Sequence, residues 1–88
     1  MTQSQGPQKP PHELVLLTKP GCHLCEAARR TVAAVAGELG LPWAERSILE
    51  DPALEARFAE EVPVVMIDGV QRDFWHIDPA RLRRLLLA

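Results

Sequence analysis

Lys19-Pro20-Gly21-Cys22-His23-Leu24-Cys25 is the stretch on which the reading of this chain turns. It holds the only two cysteines of the 88 residues, with two residues between them. A helix starting at about Cys22 would set both side chains on one face of its first turn, by their i, i+3 spacing. The unpaired N–H groups and the dipole at a helix start favour negative charge, so a thiolate forms more easily there. Pro20 and Gly21 suit a sharp exit from a strand, and the apolar run Leu14-Val15-Leu16-Leu17 supplies that strand. Strand, tight loop, CxxC and helix together read as a thiol–disulfide redox site.

Bulk properties narrow the setting. The chain is one domain in length, with 47% hydrophobic and 25% charged residues, which is ordinary globular composition. A net charge of −2 and a pI near 5.9 give nucleic acid no reason to bind. The apolar runs fall far short of the ~20 residues of a membrane span. Met1 to Pro11 lacks the apolar core of a signal peptide, so a cytoplasmic address is expected. There, thiols are more often catalytic than structural. A bridge closing so small a loop would also constrain the unfolded chain very little.

Outward from the CxxC, residues 1–12 are rich in Gln, Pro, Ser and Gly and read as a flexible tail. Leu14 to Thr18 is a continuous apolar run, expected of a strand covered on both faces. Leu24, Ala28, Val32, Val35, Ala36 and Leu39 form a helical stripe. Glu26, Arg29, Arg30 and Glu38 lie off that stripe, and Gly40 and Pro42 end the helix. Trp43 to Leu49 alternates loosely as a second strand. Asp51-Pro52 opens a short helix with Leu54 and Phe58 inward. Val62 to Ile67 and Val70 to His76 flank Asp68-Gly69, a strong hairpin signal. Asp78-Pro79 repeats the cap-and-proline start, with Ala80, Leu82, Leu85 and Leu86 expected inward and Arg81, Arg83 and Arg84 on a solvated face.

The segment from about Glu13 to Ala88 resembles a glutaredoxin, in particular the short branch of glutaredoxin-like proteins. The match is carried by Lys19 to Cys25, by Val62-Pro63-Val64 about 40 residues on, and by Ile67-Asp68-Gly69. It implies an α/β domain of minimal thioredoxin-like fold, βαβαββα, with a four-stranded mixed sheet and three helices. It also implies a cis Val62–Pro63 bond facing the cysteines, with the backbone of Val62 free to pair with an extended substrate. Lys19 matches the basic residue that pairs with a carboxylate of glutathione, although a solvated surface lysine is an equal reading.

In this reading Cys22 is the nucleophile and Cys25 the resolving thiol one helical turn away. A thiol pKa lowered from about 8.5 to about 6 raises the thiolate fraction at pH 7 about thirtyfold. Reduced nucleophilicity takes back roughly thirteenfold, leaving a gain of about two- to threefold. The larger effects are a better leaving group and a more stable reduced state. His23 either favours the thiolate as a nearby cation or is an exposed spacer.

The family's Gly-Gly pair is replaced by Phe74-Trp75-His76-Ile77-Asp78-Pro79, which makes glutathione a poor ligand in expectation. Trp75 reads as either a rim aromatic or core, and Asp78 as the cap of the last helix and a neighbour of the substrate. The expected function is a monomeric thiol–disulfide oxidoreductase with no resident cofactor or metal. It would act on a disulfide-containing protein or small thiol and be recycled by glutathione or a reductase. A thioredoxin-fold binding module with non-catalytic thiols, or a zinc or iron–sulfur carrier, are the alternatives. One CxxC supplies only two of the four ligands zinc wants.

Overall fold

The computed structural model describes residues 12–88. The element order is β1 (Leu14–Thr18), α1 (His23–Leu39), β2 (Ala44–Ser47), a 3-10 turn (Ile48–Glu50), α2 (Pro52–Phe58), β3 (Val64–Ile67), β4 (Val70–Phe74) and α3 (Pro79–Leu87). The expected tail reading lies outside the described residues except at His12. That residue is held, its ring contacting the Asp68 carboxylate at 2.7 Å and the Ala88 carbonyl at 3.2 Å.

The four strands form one mixed sheet in the order β2-β1-β3-β4. β1 pairs in parallel with β2, Val15 opposite Ala44 through Thr18 opposite Ser47. It pairs antiparallel with β3, Leu14 opposite Ile67 through Leu17 opposite Val64. β3 and β4 form the hairpin, with an irregularity between Val65 and Met66. Asp68 and Gly69 both take positive φ, 55° and 80°, the backbone a two-residue hairpin turn requires.

The uninterrupted apolar run of β1 follows from its central place, because helices cover both faces. Leu14, Leu16, Val65 and Ile67 pack with Ala28, Val32, Val35 and Ala36 of α1 and Leu82 and Leu86 of α3. Leu17 and Val64 face the other way, against Phe58 of α2, Ile48 and Cys25. Edge strand β2 is Ala-Glu-Arg-Ser, and its charges discourage pairing with another sheet.

Three element ends and one helix face differ from the sequence expectation, each for a local reason. β2 stops at Ser47 because Ser47 and Glu50 form a reciprocal capping box that starts the 3-10 turn. β3 starts at Val64 rather than Val62, since Pro63 has no N–H for the ladder and the Val62 N–H donates to the Phe58 carbonyl at 3.1 Å. β4 ends at Phe74 because Trp75 turns left-handed, at φ 61°. On α3, Ala80 is exposed, and the inward face is Leu82 and Leu86 with Leu85 partly covered.

Candidate active site

β1 delivers the chain to the site, and Lys19-Pro20-Gly21 turns it into α1. Gly21 sits at φ 76°, where a side chain would be strained. Cys22 is the N-cap of α1, and its Sγ accepts a hydrogen bond from the Cys25 N–H at 3.2 Å. The sulfur thus occupies the place that a serine or aspartate oxygen takes in an ordinary cap. Cys22 and Cys25 form a disulfide, with Cα atoms 5.3 Å apart. Their environments are unequal, as Cys22 is partly exposed and Cys25 is 1% exposed within the α2-side core.

Val62 packs into the same cluster as Cys25, with Cys22 against it. The Val62–Pro63 peptide bond is cis. One implied feature needs correction: the Val62 N–H is not free, since Phe58 takes it, which leaves the carbonyl as the backbone handle. Lys19 is exposed, and its Nζ donates to the Ala59 carbonyl at 3.1 Å, so its ammonium is anchored beside α2. His23 is exposed at the first turn of α1. Asp78 caps α3, accepting from the Ala80 N–H at 3.0 Å, and its own N–H donates to Asp73 at 3.2 Å.

A shallow cavity of about 330 Å³ runs beside the cysteines, between Lys19, His23 and Arg29. Below it, Arg29 grips Glu45 with two bonds of 2.7 Å, and the Thr18 hydroxyl donates to the same carboxylate at 2.9 Å. The bond from Arg29 holds the Glu45 carboxyl below the usual carboxylate range, against the opposing effect of partial burial, with Thr18 adding to it. This network fastens α1 to β1 and β2 under the CxxC turn. A larger cavity of about 580 Å³ lies at the far end of β1, near Trp43 and Asp68, and holds neither cysteine. Chemistry rather than size therefore marks the site. Among the described residues, no group of three or more His, Cys, Asp and Glu side chains is placed to hold a metal ion.

Sequence reasoning left Trp75 undecided. Its indole Nε1 donates to the Glu60 carbonyl at 3.0 Å, and its backbone N–H donates to the Pro63 carbonyl at 2.9 Å. The ring nonetheless stays 50% exposed, edge-on to Phe74 with centroids 5.0 Å apart. The only local signal for this was the run of two aromatics before Asp78-Pro79, where the family carries glycines.

Strand order, flanking helices and a CxxC at a helix start define a thioredoxin-fold protein. The Fasciola hepatica thioredoxin structure has the same fold, with a TM-score of 0.65 at 19% identity, over 90% of this chain and 81% of that one. The glutaredoxin-like domain family matches residues 13–87, and the chain belongs to it. A structural genomics target protein from X. campestris matches at a TM-score of 0.68 and 30% identity, covering 83% of this chain and 93% of its own. An uncharacterized protein of Mycobacterium tuberculosis is 32% identical over 76 residues, 81% of this chain and 78% of that protein.

Proposed function

We propose that this protein is a dithiol thiol–disulfide oxidoreductase acting in cell redox homeostasis, with Cys22 as nucleophile and Cys25 as resolving thiol. The observation that carries the reading is the Cys25 N–H directed at the Cys22 sulfur from the first turn of α1, with Cys25 itself buried. A negative sulfur at Cys22 gains a charge-assisted bond there.

The exchange balances without a resident cofactor. The Cys22 thiolate attacks one sulfur of a substrate disulfide, and the substrate S–S bond breaks. Its second sulfur leaves as a thiolate and takes a proton from water. The Cys25 thiol then loses its proton to water and attacks the Cys22 sulfur of the mixed disulfide. The remaining substrate thiol is released and the Cys22–Cys25 disulfide forms. Two electrons have passed to the substrate. Two equivalents of a monothiol such as glutathione, or a reductase, return them.

Lys19 and the carbonyl of Val62 border the path of the substrate beside Pro63, and the N-terminus of α3 at Asp78 lies beyond Trp75. The paired glycines through which family members approach glutathione closely are absent. Asp78 is itself an anion and opposes a second carboxylate. Both favour a polypeptide or small disulfide over glutathione as substrate, handled by a monomer in the cytoplasm. Among the described residues, no helix is long and apolar enough to cross a membrane.

Disulfide reduction by the purified protein is the test. Cys22→Ser is expected to abolish it, and Cys25→Ser to stop at a mixed disulfide that mass spectrometry detects. A Cys22→Ser variant with full activity would reject the mechanism.

A further inference from the structure

The chain has only four aromatic residues, two Trp and two Phe, and it sets two of them on the surface together. Phe58 is core and Trp43 is partly covered, whereas Phe74 is 42% exposed and Trp75 50% exposed. Trp75 also holds a left-handed backbone, a conformation bulky residues rarely adopt and glycine would adopt freely. Such an outlier persists only where its surroundings impose it, and it points toward function. Here the imposing contacts are the N–H bond to the Pro63 carbonyl, the indole bond to the Glu60 carbonyl and the edge contact with Phe74. The ring is therefore fixed and exposed, and its backbone is tied to Pro63, whose neighbour Val62 shares a buried cluster with Cys25, with Cys22 packed against that cluster.

We infer that Trp75, backed by Phe74, is a specificity-determining ledge that receives a large apolar side chain flanking the reacting cysteine of a polypeptide disulfide. The inference rests on the oxidoreductase reading and names its substrate class. A ring already immobilised loses little freedom when a second apolar group covers it, so the contact turns almost wholly into selectivity. Glutathione, with charged groups at both ends, has no large apolar side chain to lay there. The reacting sulfur enters beside Cys22, and the adjoining residue of the substrate lies over the indole.

The test is a single-turnover reaction of reduced protein with two peptide disulfides identical except for Phe or Ser beside the cysteine. Oxidised glutathione serves as a third substrate. No added reductant is needed, because the protein dithiol is oxidised as the substrate disulfide becomes two thiols. The Phe peptide is expected to react about tenfold faster than the Ser peptide, the scale at which an apolar contact discriminates. Trp75→Gly, which suits the φ at that position, is expected to bring this ratio to about 1. Trp75→Phe retains a ring and is expected to keep most of the preference. A merely structural role would slow both peptides alike and leave the ratio intact. Equal rates in the parent protein, or a ratio unchanged in Trp75→Gly, would overturn the ledge while leaving the oxidoreductase reading standing. Failure to reduce any of the three substrates would overturn both.

Discussion

Cys22 and Cys25 have the same side chain and opposite surroundings. The first is a helix cap reached by solvent, and the second lies in the core and lends its N–H to the first. In reduced protein at pH 6, limiting iodoacetamide is expected to alkylate Cys22 first, with peptide mapping as the readout. Preferential labelling of Cys25 would reverse the roles. Trp75 shows how several small effects decide one residue. A left-handed backbone costs a non-glycine residue about 1–2 kcal/mol. The edge contact with Phe74 returns about 0.5–1.5 kcal/mol, and each of its two hydrogen bonds returns about 0.5–1.5 kcal/mol. The returns total about 1.5–4.5 kcal/mol and cover the cost, so these contacts suffice to hold the residue in its left-handed backbone.

At the scale of elements, α2 is the least secured. It has seven residues, starts from the Asp51 cap, and enters the core through one fully buried side chain, Phe58, with Leu54 partly covered. Phe58→Ala is expected to cost about 3–5 kcal/mol in urea unfolding. Asp78→Ala, which removes only the cap of α3, is expected to cost about 1 kcal/mol. If the two losses are equal, α2 is not held as described. Elements like these were legible in the sequence because their signals are local: the stripe of α1, the Asp-Pro starts, the Asp-Gly turn. The CxxC was legible for the same reason, whereas the cis Val62–Pro63 bond was expected only from the resemblance to glutaredoxins. What escaped was short-range capping that competes with strand alternation, backbone that composition does not encode, or a partner on another element. Ser47 closes its cap with Glu50 where alternation continues, Val62 gives its N–H to Phe58, and Trp75 bends where strand propensity is high. Arg83 pairs with Glu38 through bonds of 2.8 and 3.0 Å, and Arg81 bonds the Arg72 carbonyl, so two of the expected solvated arginines hold elements together.

Across the whole molecule, His12 gathers the start of the described chain, the β3–β4 turn and Ala88. Its Nδ1 meets Asp68 and its Nε2 meets the Ala88 carbonyl. Both partners are acceptors, so both ring nitrogens must donate, and only the imidazolium has two N–H groups. The bond to Asp68, then that to Ala88, raises the His12 pKa above its ordinary value. The Glu13 N–H, then His12, holds the Asp68 carboxyl below the usual range. The signs follow from the direction of each shift. A raised histidine stabilises fully below its unfolded pKa of about 6.5 and loses that contribution as pH rises through the higher folded value. A lowered carboxylate stabilises above its unfolded pKa and loses its contribution as pH falls through the lower folded one. The clasp is thus strongest in mildly acidic solution. The melting temperature is expected to fall more between pH 6 and pH 8.5 in the parent than in His12→Ala. Equal falls would show that the clasp contributes nothing.

In the proposed oxidoreductase, the commitment of the Val62 N–H to Phe58 also bears on how a substrate would lie in the groove. Two ladder bonds at one residue would fix the direction of an added strand, because their spacing differs between parallel and antiparallel pairing. A single carbonyl acts instead as a swivel. A peptide that meets it with one N–H can run either way across the site, and the residue over Trp75 then precedes the cysteine in one direction and follows it in the other. Peptide disulfides with sequences Phe-Cys and Cys-Phe are accordingly expected to be reduced at similar rates. A strong preference for one order would mean that a second backbone contact fixes the polarity of the guest chain.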